Sequence, residues 1–175
     1  MRFASFRCDG MDTYGVALSD TSIVDLTLSG GNDIADNLLE LIESGESGLE
    51  LAAAALENSE DAVIVGTEEI EWLPPIRQPG KICGIAMNNS ASNERKISAP
   101  EHPAFFLKPA SCLVAHLQPI TIRSYYGSVH PEPELAVVIG KTARDVDADE
   151  AAEYIFGYTI FDDITGNGMR SEDLF

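Results

Sequence analysis

The sequence predicts a β-rich α+β protein, and three observations lead there. Short runs of β-branched and aromatic residues recur along the chain. Helical periodicity is confined to residues 34–57 and 147–156, and no GxGxxG, Walker loop or internal repeat is present, which disfavours nucleotide-cofactor folds. The expected organisation is a small amino-terminal α+β domain over residues 1–74, a proline-rich linker over 75–80 and a second, strand-rich region over 81–175.

Residues 3–7, 14–18 and 22–26 read as short strands with a turn at Asp9-Gly10, an antiparallel meander. From Asp33 the period changes, and Ile34, Leu38, Leu41 and Ile42 fall on one helical face with Asn32 or Asp33 as the cap. A second helix is expected over 48–57, followed by brief extended segments at 62–65 and 70–73. Pro74, Pro75 and Pro79 then hold the linker extended. Beyond it, residues 82–86, 104–107, 119–122 and 135–139 read as strands. One helix is expected over 147–156, with Asp147 and Glu150 as a capping box and Gly157 as its stop.

At 175 residues and 45% hydrophobic content the chain can bury a real core. Its 29 acidic residues against 11 basic ones give a net charge of −18, a field that repels nucleic acid and anionic membranes. Acid spread along the whole chain, with lysine scarce, is the pattern of adaptation to high salt. Cys8, Cys83 and Cys112 have no zinc or CxxC spacing, and a reducing cytoplasm is expected. No leader-like segment and no membrane-length apolar run is seen, so a soluble, cytoplasmic protein is the expectation.

The most informative stretch is His130 to Gly140, His-Pro-Glu-Pro-Glu-Leu-Ala-Val-Val-Ile-Gly. Glu132 and Glu134 stand two apart at the mouth of an apolar strand, so both side chains point to one face. Carboxylates that close repel unless a proton or cation lies between them, and oxygen-only ligands suit Mg²⁺, Mn²⁺ or Ca²⁺. A third carboxylate follows the run Gly157 to Phe161, where Asp162 and Asp163 face opposite ways in a continuing strand; spacing leaves both open. The competing reading is a solvated strand end in a very acidic chain.

Taken in order, Lys81-Ile82-Cys83-Gly84, Phe105-Phe106-Leu107-Lys108-Pro109 with Ser111, Glu132-Pro133-Glu134-Leu135-Ala136-Val137-Val138-Ile139-Gly140-Lys141, and Gly157-Tyr158-Thr159-Ile160 before Asp162-Asp163 resemble the fumarylacetoacetate hydrolase family, in its short prokaryotic type. The resemblance implies a mixed β-sandwich or β-roll catalytic region and a homodimer. It also implies a divalent ion, Mg²⁺, Mn²⁺ or Ca²⁺, on Glu132, Glu134 and Asp163, the last by alignment on Gly-Tyr-Thr. The implied substrates are 1,3-dicarbonyl or 2-oxo acids, cleaved hydrolytically, decarboxylated or tautomerised through a metal-stabilised enolate.

Three departures from the family pattern stand out. Where active relatives carry a water-activating histidine and glutamate, an ungapped alignment from Gly84 places Ser90 and Asn93, with Glu94 one residue off. This weakens hydrolysis against decarboxylation or tautomerisation. The arginine that often follows the metal aspartate is replaced by Thr165-Gly166-Asn167-Gly168, with Arg170 further on. The chain also stops at Phe175 where the family's domain continues, and is read as a fragment or truncated gene product; a non-catalytic paralogue that retains the fold and ion is the alternative.

The general acid or base is sought among Glu94, His130 and Ser90. His130, two residues before Glu132, would share its face and has the side chain that titrates nearest neutrality. Lys108 and Ser111 are candidates for holding a substrate carboxylate, against the plainer readings of a surface lysine and a turn serine. The polar run 88–96, with Arg95-Lys96, reads as a surface loop, or by the resemblance as a lid over an anionic substrate. His102 and His116 are read as loop residues, and no cysteine has a basic sequence neighbour to make it reactive.

Overall fold

The computed structural model describes residues 1–57, 62–88 and 101–170, apart from the side chains of Met169 and Arg170. Strands β1 (Phe3–Cys8), β2 (Met11–Ala17) and β3 (Ser22–Asp25) form the expected meander. With β4 (Ile64–Gly66) and β5 (Glu71–Trp72) they complete a five-stranded sheet in the order β4-β3-β2-β1-β5. Every pairing in it is antiparallel.

Alternation across the sheet produces two apolar faces. Tyr14 and Val16 point one way and pack under Leu26, Leu38, Leu41, Ile42, Ala52 and Ala55, the apolar stripes of three helices. Those helices are α1 (Leu26–Ser29), α2 (Leu38–Glu43) and α3 (Glu46–Glu57). Phe6, Ile23 and Val65 form the smaller cluster on the other face. Gly15 permits the β2–β3 contact, because a Cβ there would come within 2.1 Å of the Val24 carbonyl oxygen.

Several sequence expectations are corrected. The helix expected from Asp33 starts at Leu38, because Asn37 is the cap: its side-chain oxygen accepts from the Glu40 backbone amide, and its side-chain NH₂ donates to the Glu40 carboxylate. Leu26, expected to end the third strand, instead opens α1, which is capped by Asp25, whose buried carboxylate also accepts from Thr13 and Thr27. Residues 119–122 form no strand. The helix expected over 147–156 is a turn and a 3₁₀ segment, Ala151–Tyr154, after which the chain is already extended. Gly157 accordingly stops no helix and lies beside an irregularity in a strand.

After β5, residues 75–80 run without regular structure, and Arg77 ties them back by an ion pair to Asp12. Strands β6 (Ile82–Ala86) and β7 (Ala104–Lys108) pair antiparallel, as do β9 (Pro133–Ile139) and β10 (Ile155–Asp162). The short β8 (Val129–His130) pairs with β11 (Thr165–Gly166), which leads into α4 (Asn167–Arg170). Val138, Phe156 and Ile76 rest against the amino-terminal core, with the Phe3 and Phe156 rings 5.8 Å apart.

Candidate functional site

The β9–β10 register decides which acidic side chains can meet. Phe161 lies opposite Glu134 and Asp162 opposite Pro133. One step further, the Asp163 amide donates to the Glu132 carbonyl at 2.8 Å. Residues directly opposite in an antiparallel ladder share a face, and alternate residues of a strand share it too. Glu132, Glu134 and Asp163 therefore lie on one side, together with the partly buried Ala136, Val138, Thr159 and Phe161. Asp162 goes to the other side with the exposed Tyr158 and Ile160.

Two of the three carboxylates have ion-pair or hydrogen-bond partners among the described residues. The Lys108 ammonium lies 2.5 Å from Asp163 Oδ1, and both side chains are largely covered, 24% and 15% exposed. Lys108 reaches that point from the end of β7, its ammonium 5.6 Å from the centroid of the Phe106 ring two residues back on the same face. The ring rests over Gly84, where a Cβ would come within 2.1 Å of Phe106 Cζ; bare backbone opposite the ring is what lets it lie there.

Glu132 is engaged by His130 Nε2 at 2.8 Å. The other ring nitrogen, Nδ1, accepts from Asn167 Nδ2 at 3.3 Å, and the Asn167 amide is itself pinned by a 2.9 Å bond to the Ser128 carbonyl. With Nδ1 accepting from the Asn167 amide, Nε2 is the nitrogen that donates to Glu132. Both nitrogens are then occupied, which suits His130 to orienting Glu132 more than to acting as a free base.

Glu134 is exposed at the rim, and Ser111 is exposed in the 3₁₀ turn Ala110–Cys112 that follows Lys108. Ser90 and Glu94, and most of the lid-like run, lie outside the described residues. Among the described residues, no three His, Cys, Asp or Glu side chains are gathered tightly enough to enclose an ion. His116 packs edge-on against Trp72, with ring centroids 5.7 Å apart, which gives it a structural place away from these carboxylates. Burial, with Asp9 and Glu69 nearby, pushes the Cys8 thiol up, as expected of an inert cysteine.

Sequence reasoning missed Asn167 and Phe106 as members of this group. Asn167 stood only as part of the segment replacing an arginine, and its contact with His130 spans 37 residues of sequence. The cue available for Phe106 was its place two residues before Lys108.

Comparison with known proteins agrees with this architecture. The family model described as fumarylacetoacetate (FAA) hydrolase C-terminal matches residues 81–174. An oxaloacetate tautomerase of Xenopus laevis mitochondria is 33% identical over 158 residues, 84% of this chain and 49% of that protein. The solved structure of a fumarylacetoacetate hydrolase from Exiguobacterium antarcticum aligns with a TM-score of 0.75 at 26% identity, over 97% of this chain and 58% of that one. A maleylpyruvate hydrolase from Sphingobium sp. SYK-6, solved with manganese(II) and pyruvate, aligns with a TM-score of 0.73 at 28% identity, over 96% of this chain and 60% of that one. The chain thus spans about half the length of the curated relative and three-fifths of the solved ones. With more than half of its residues matched by the family model, the chain belongs to the fumarylacetoacetate hydrolase family.

Proposed function

We propose that this chain carries the carboxylate half of a divalent-metal-dependent active site acting on a 2-oxo acid or 1,3-dicarbonyl compound. The observation that carries the reading is the common face of Glu132, Glu134 and Asp163 at the end of the β9–β10 ladder. Their chemistry fits a hard cation: all three offer oxygen, and no thiolate stands among them. Support comes also from the maleylpyruvate hydrolase relative, solved with manganese and pyruvate. A bound ion would supply Lewis-acid stabilisation of charge developing on neighbouring substrate oxygens.

The chain's own residues do the rest. His130 orients Glu132, and Asn167 fixes the ring that does so. Phe106 and Gly84 set the height of Lys108, which stands beside Asp163 as the nearest described cation for an anionic substrate. With Ser90 and Asn93 where a hydrolytic dyad would align, tautomerisation or decarboxylation is the better reading than carbon–carbon hydrolysis. The test is conversion of the enol of oxaloacetate to its ketone, followed by ultraviolet absorbance with Mn²⁺ or Mg²⁺ and with chelator. A metal-dependent rate that vanishes in Glu132→Ala supports the reading; a rate indifferent to both rejects it.

A second reading is a non-catalytic paralogue that keeps fold and ion, favoured by the same Ser90 and Asn93. We infer in addition a homodimer, for which the outward face of β9 and β10, with Leu135, Val137, Tyr158 and Ile160 exposed, offers apolar surface. Sedimentation equilibrium tests it. Among the described residues no helix is long and apolar enough to cross a membrane.

A further inference from the structure

We propose that Gly127 and Gly168 are positioning residues: the close crossing of their backbones holds Asn167 against His130, and through that ring it holds Glu132 on the carboxylate face. The inference rests on the site reading above and deepens it, by naming what keeps Glu132 in place.

The register of two short strands carries it. His130 stands opposite Thr165 and Val129 opposite Gly166, a ladder of two pairs, too short to hold its own geometry. The next rung is the Asn167 amide, which donates to the Ser128 carbonyl at 2.9 Å. One rung further, Gly168 meets Gly127, which closes the 3₁₀ turn Ser124–Tyr126. A Cβ on Gly168 would lie 2.6 Å from the Tyr126 carbonyl oxygen and 2.8 Å from Gly127 Cα, and one on Gly127 would lie 2.7 Å from Gly168 Cα. All of these obstacles are backbone, so no side chain can swing aside to make room. Gly127 also has a φ of +71°, which favours glycine on its own account.

What the crossing positions follows from alternation. Asn167 and His130 are diagonal neighbours on one face of this ladder. Asn167 Nδ2 reaches Ser128 Oγ at 3.4 Å and His130 Nδ1 at 3.3 Å, and His130 Nε2 reaches Glu132 at 2.8 Å. Both Asn167 contacts are near the longest at which a hydrogen bond holds, so a small separation of the two backbones breaks them. Gly166 gives the contrast within the same segment. A Cβ there would meet nothing nearer than the Tyr126 carbonyl oxygen at 3.5 Å, an ordinary contact.

The test is the exchange with water of the His130 ring N–H, followed by NMR on ¹⁵N-labelled protein and assigned by its loss in His130→Gln. That proton reports the bond to Glu132, and a glycine needed for folding alone would not change it. Gly168→Ala and Asn167→Ala should each quicken the exchange by about fivefold or more. Their melting temperatures should stay near that of the wild type, since the crossing lies outside both apolar clusters. Gly166→Ala should exchange as the wild type does. Unchanged exchange in a folded Gly168→Ala or in Asn167→Ala overturns the inference, and so does equal quickening in Gly166→Ala. Should Gly168→Ala not fold, Asn167→Ala decides together with the Asn167 backbone amide of the wild type, whose rapid exchange would also overturn it. Titration calorimetry with Mn²⁺ on the same proteins keeps the metal reading separate. Where the wild type binds Mn²⁺, Gly168→Ala should bind it several-fold more weakly, and equal affinity overturns the inference with the metal reading intact. Where the wild type binds none while the exchange pattern is as expected, the metal reading fails and the positioning of Glu132 by the crossing stands.

Discussion

The amide of Asp163 donates to the carbonyl of Glu132 at 2.8 Å, extending the β9–β10 ladder one rung beyond its regular strands. That rung turns Asp163 inward and Asp162 outward, and it makes the glutamate pair a group of three carboxylates on one face. Stability and metal response should both be readable from it.

Thermal unfolding with excess Mn²⁺ against EDTA should separate the wild type from Glu132→Ala. At about a hundred times its dissociation constant, an ion adds about 2.7 kcal/mol to the native state. The wild-type melting temperature should rise accordingly and that of the variant should not. An equal rise in both would remove Glu132 from the ligand set.

Tyr14 offers a test in the amino-terminal core. Its ring is fully buried and its hydroxyl has no hydrogen-bond partner among the described residues. Burial, with Glu40, Asp36 and Asp25 near, pushes its pKa up to about 12. The neutral form is therefore favoured by folding; that stabilisation is complete below the unfolded value of about 10 and is lost as pH rises from there toward the folded value. Tyr14→Phe should be neutral or more stable by about 1 kcal/mol at pH 7, since an unsatisfied buried hydroxyl is removed. It should also lack the alkaline loss contributed by Tyr14. Urea unfolding across that range checks both.

Two glycines contrast in kind. A Cβ on Gly15 meets backbone, the Val24 carbonyl oxygen at 2.1 Å, which cannot move without parting β2 from β3. Gly15→Ala should cost about 1–3 kcal/mol or more. A Cβ on Gly84 meets the far edge of the Phe106 ring, which can swing aside. Gly84→Ala should cost about 1 kcal/mol or less while shifting the ring beneath Lys108. Denaturant melts and the acetylation rate of Lys108 separate the two effects.

Asp12 joins Arg7, at 2.7 Å, to Arg77 of the segment after β5. The hydrogen bond from Arg7, helped by the charge of Arg77 and opposed by partial burial, holds its carboxyl below the usual range. Its stabilisation is present above the unfolded value of about 3.9 and disappears as pH falls through the lowered folded value. Asp12→Asn should cost about 0.2–1 kcal/mol at pH 7, the range of a solvent-screened pair. The difference from wild type should shrink to nothing in strong acid, as paired chemical melts will show.

A net charge of −18 opposes compaction, and salt screens it. Raising KCl from dilute buffer to the molar range should increase the melting temperature, in line with the expected adaptation to high salt. Full stability in dilute buffer would speak against that adaptation.

The sequence by itself determined the β-rich α+β class, the amino-terminal meander, strands β6, β7 and β9, and the one-face placement of Glu132 and Glu134. Each of these follows from local alternation and turn chemistry. It misjudged residues 147–156, where a helical apolar period lost to the demand of β10 for pairing with β9, and it misplaced the cap of α2 because four acceptors, Asn32, Asp33, Asp36 and Asn37, lay within six residues. Only the tertiary structure chose Asp163 over Asp162 on geometric grounds, and only it brought Lys108, Phe106, Gly84 and Asn167 to the carboxylates. Those contacts depend on strand register and on pairs far apart in the chain, and side-chain spacing carries no information about which distant cation will neutralise which acid.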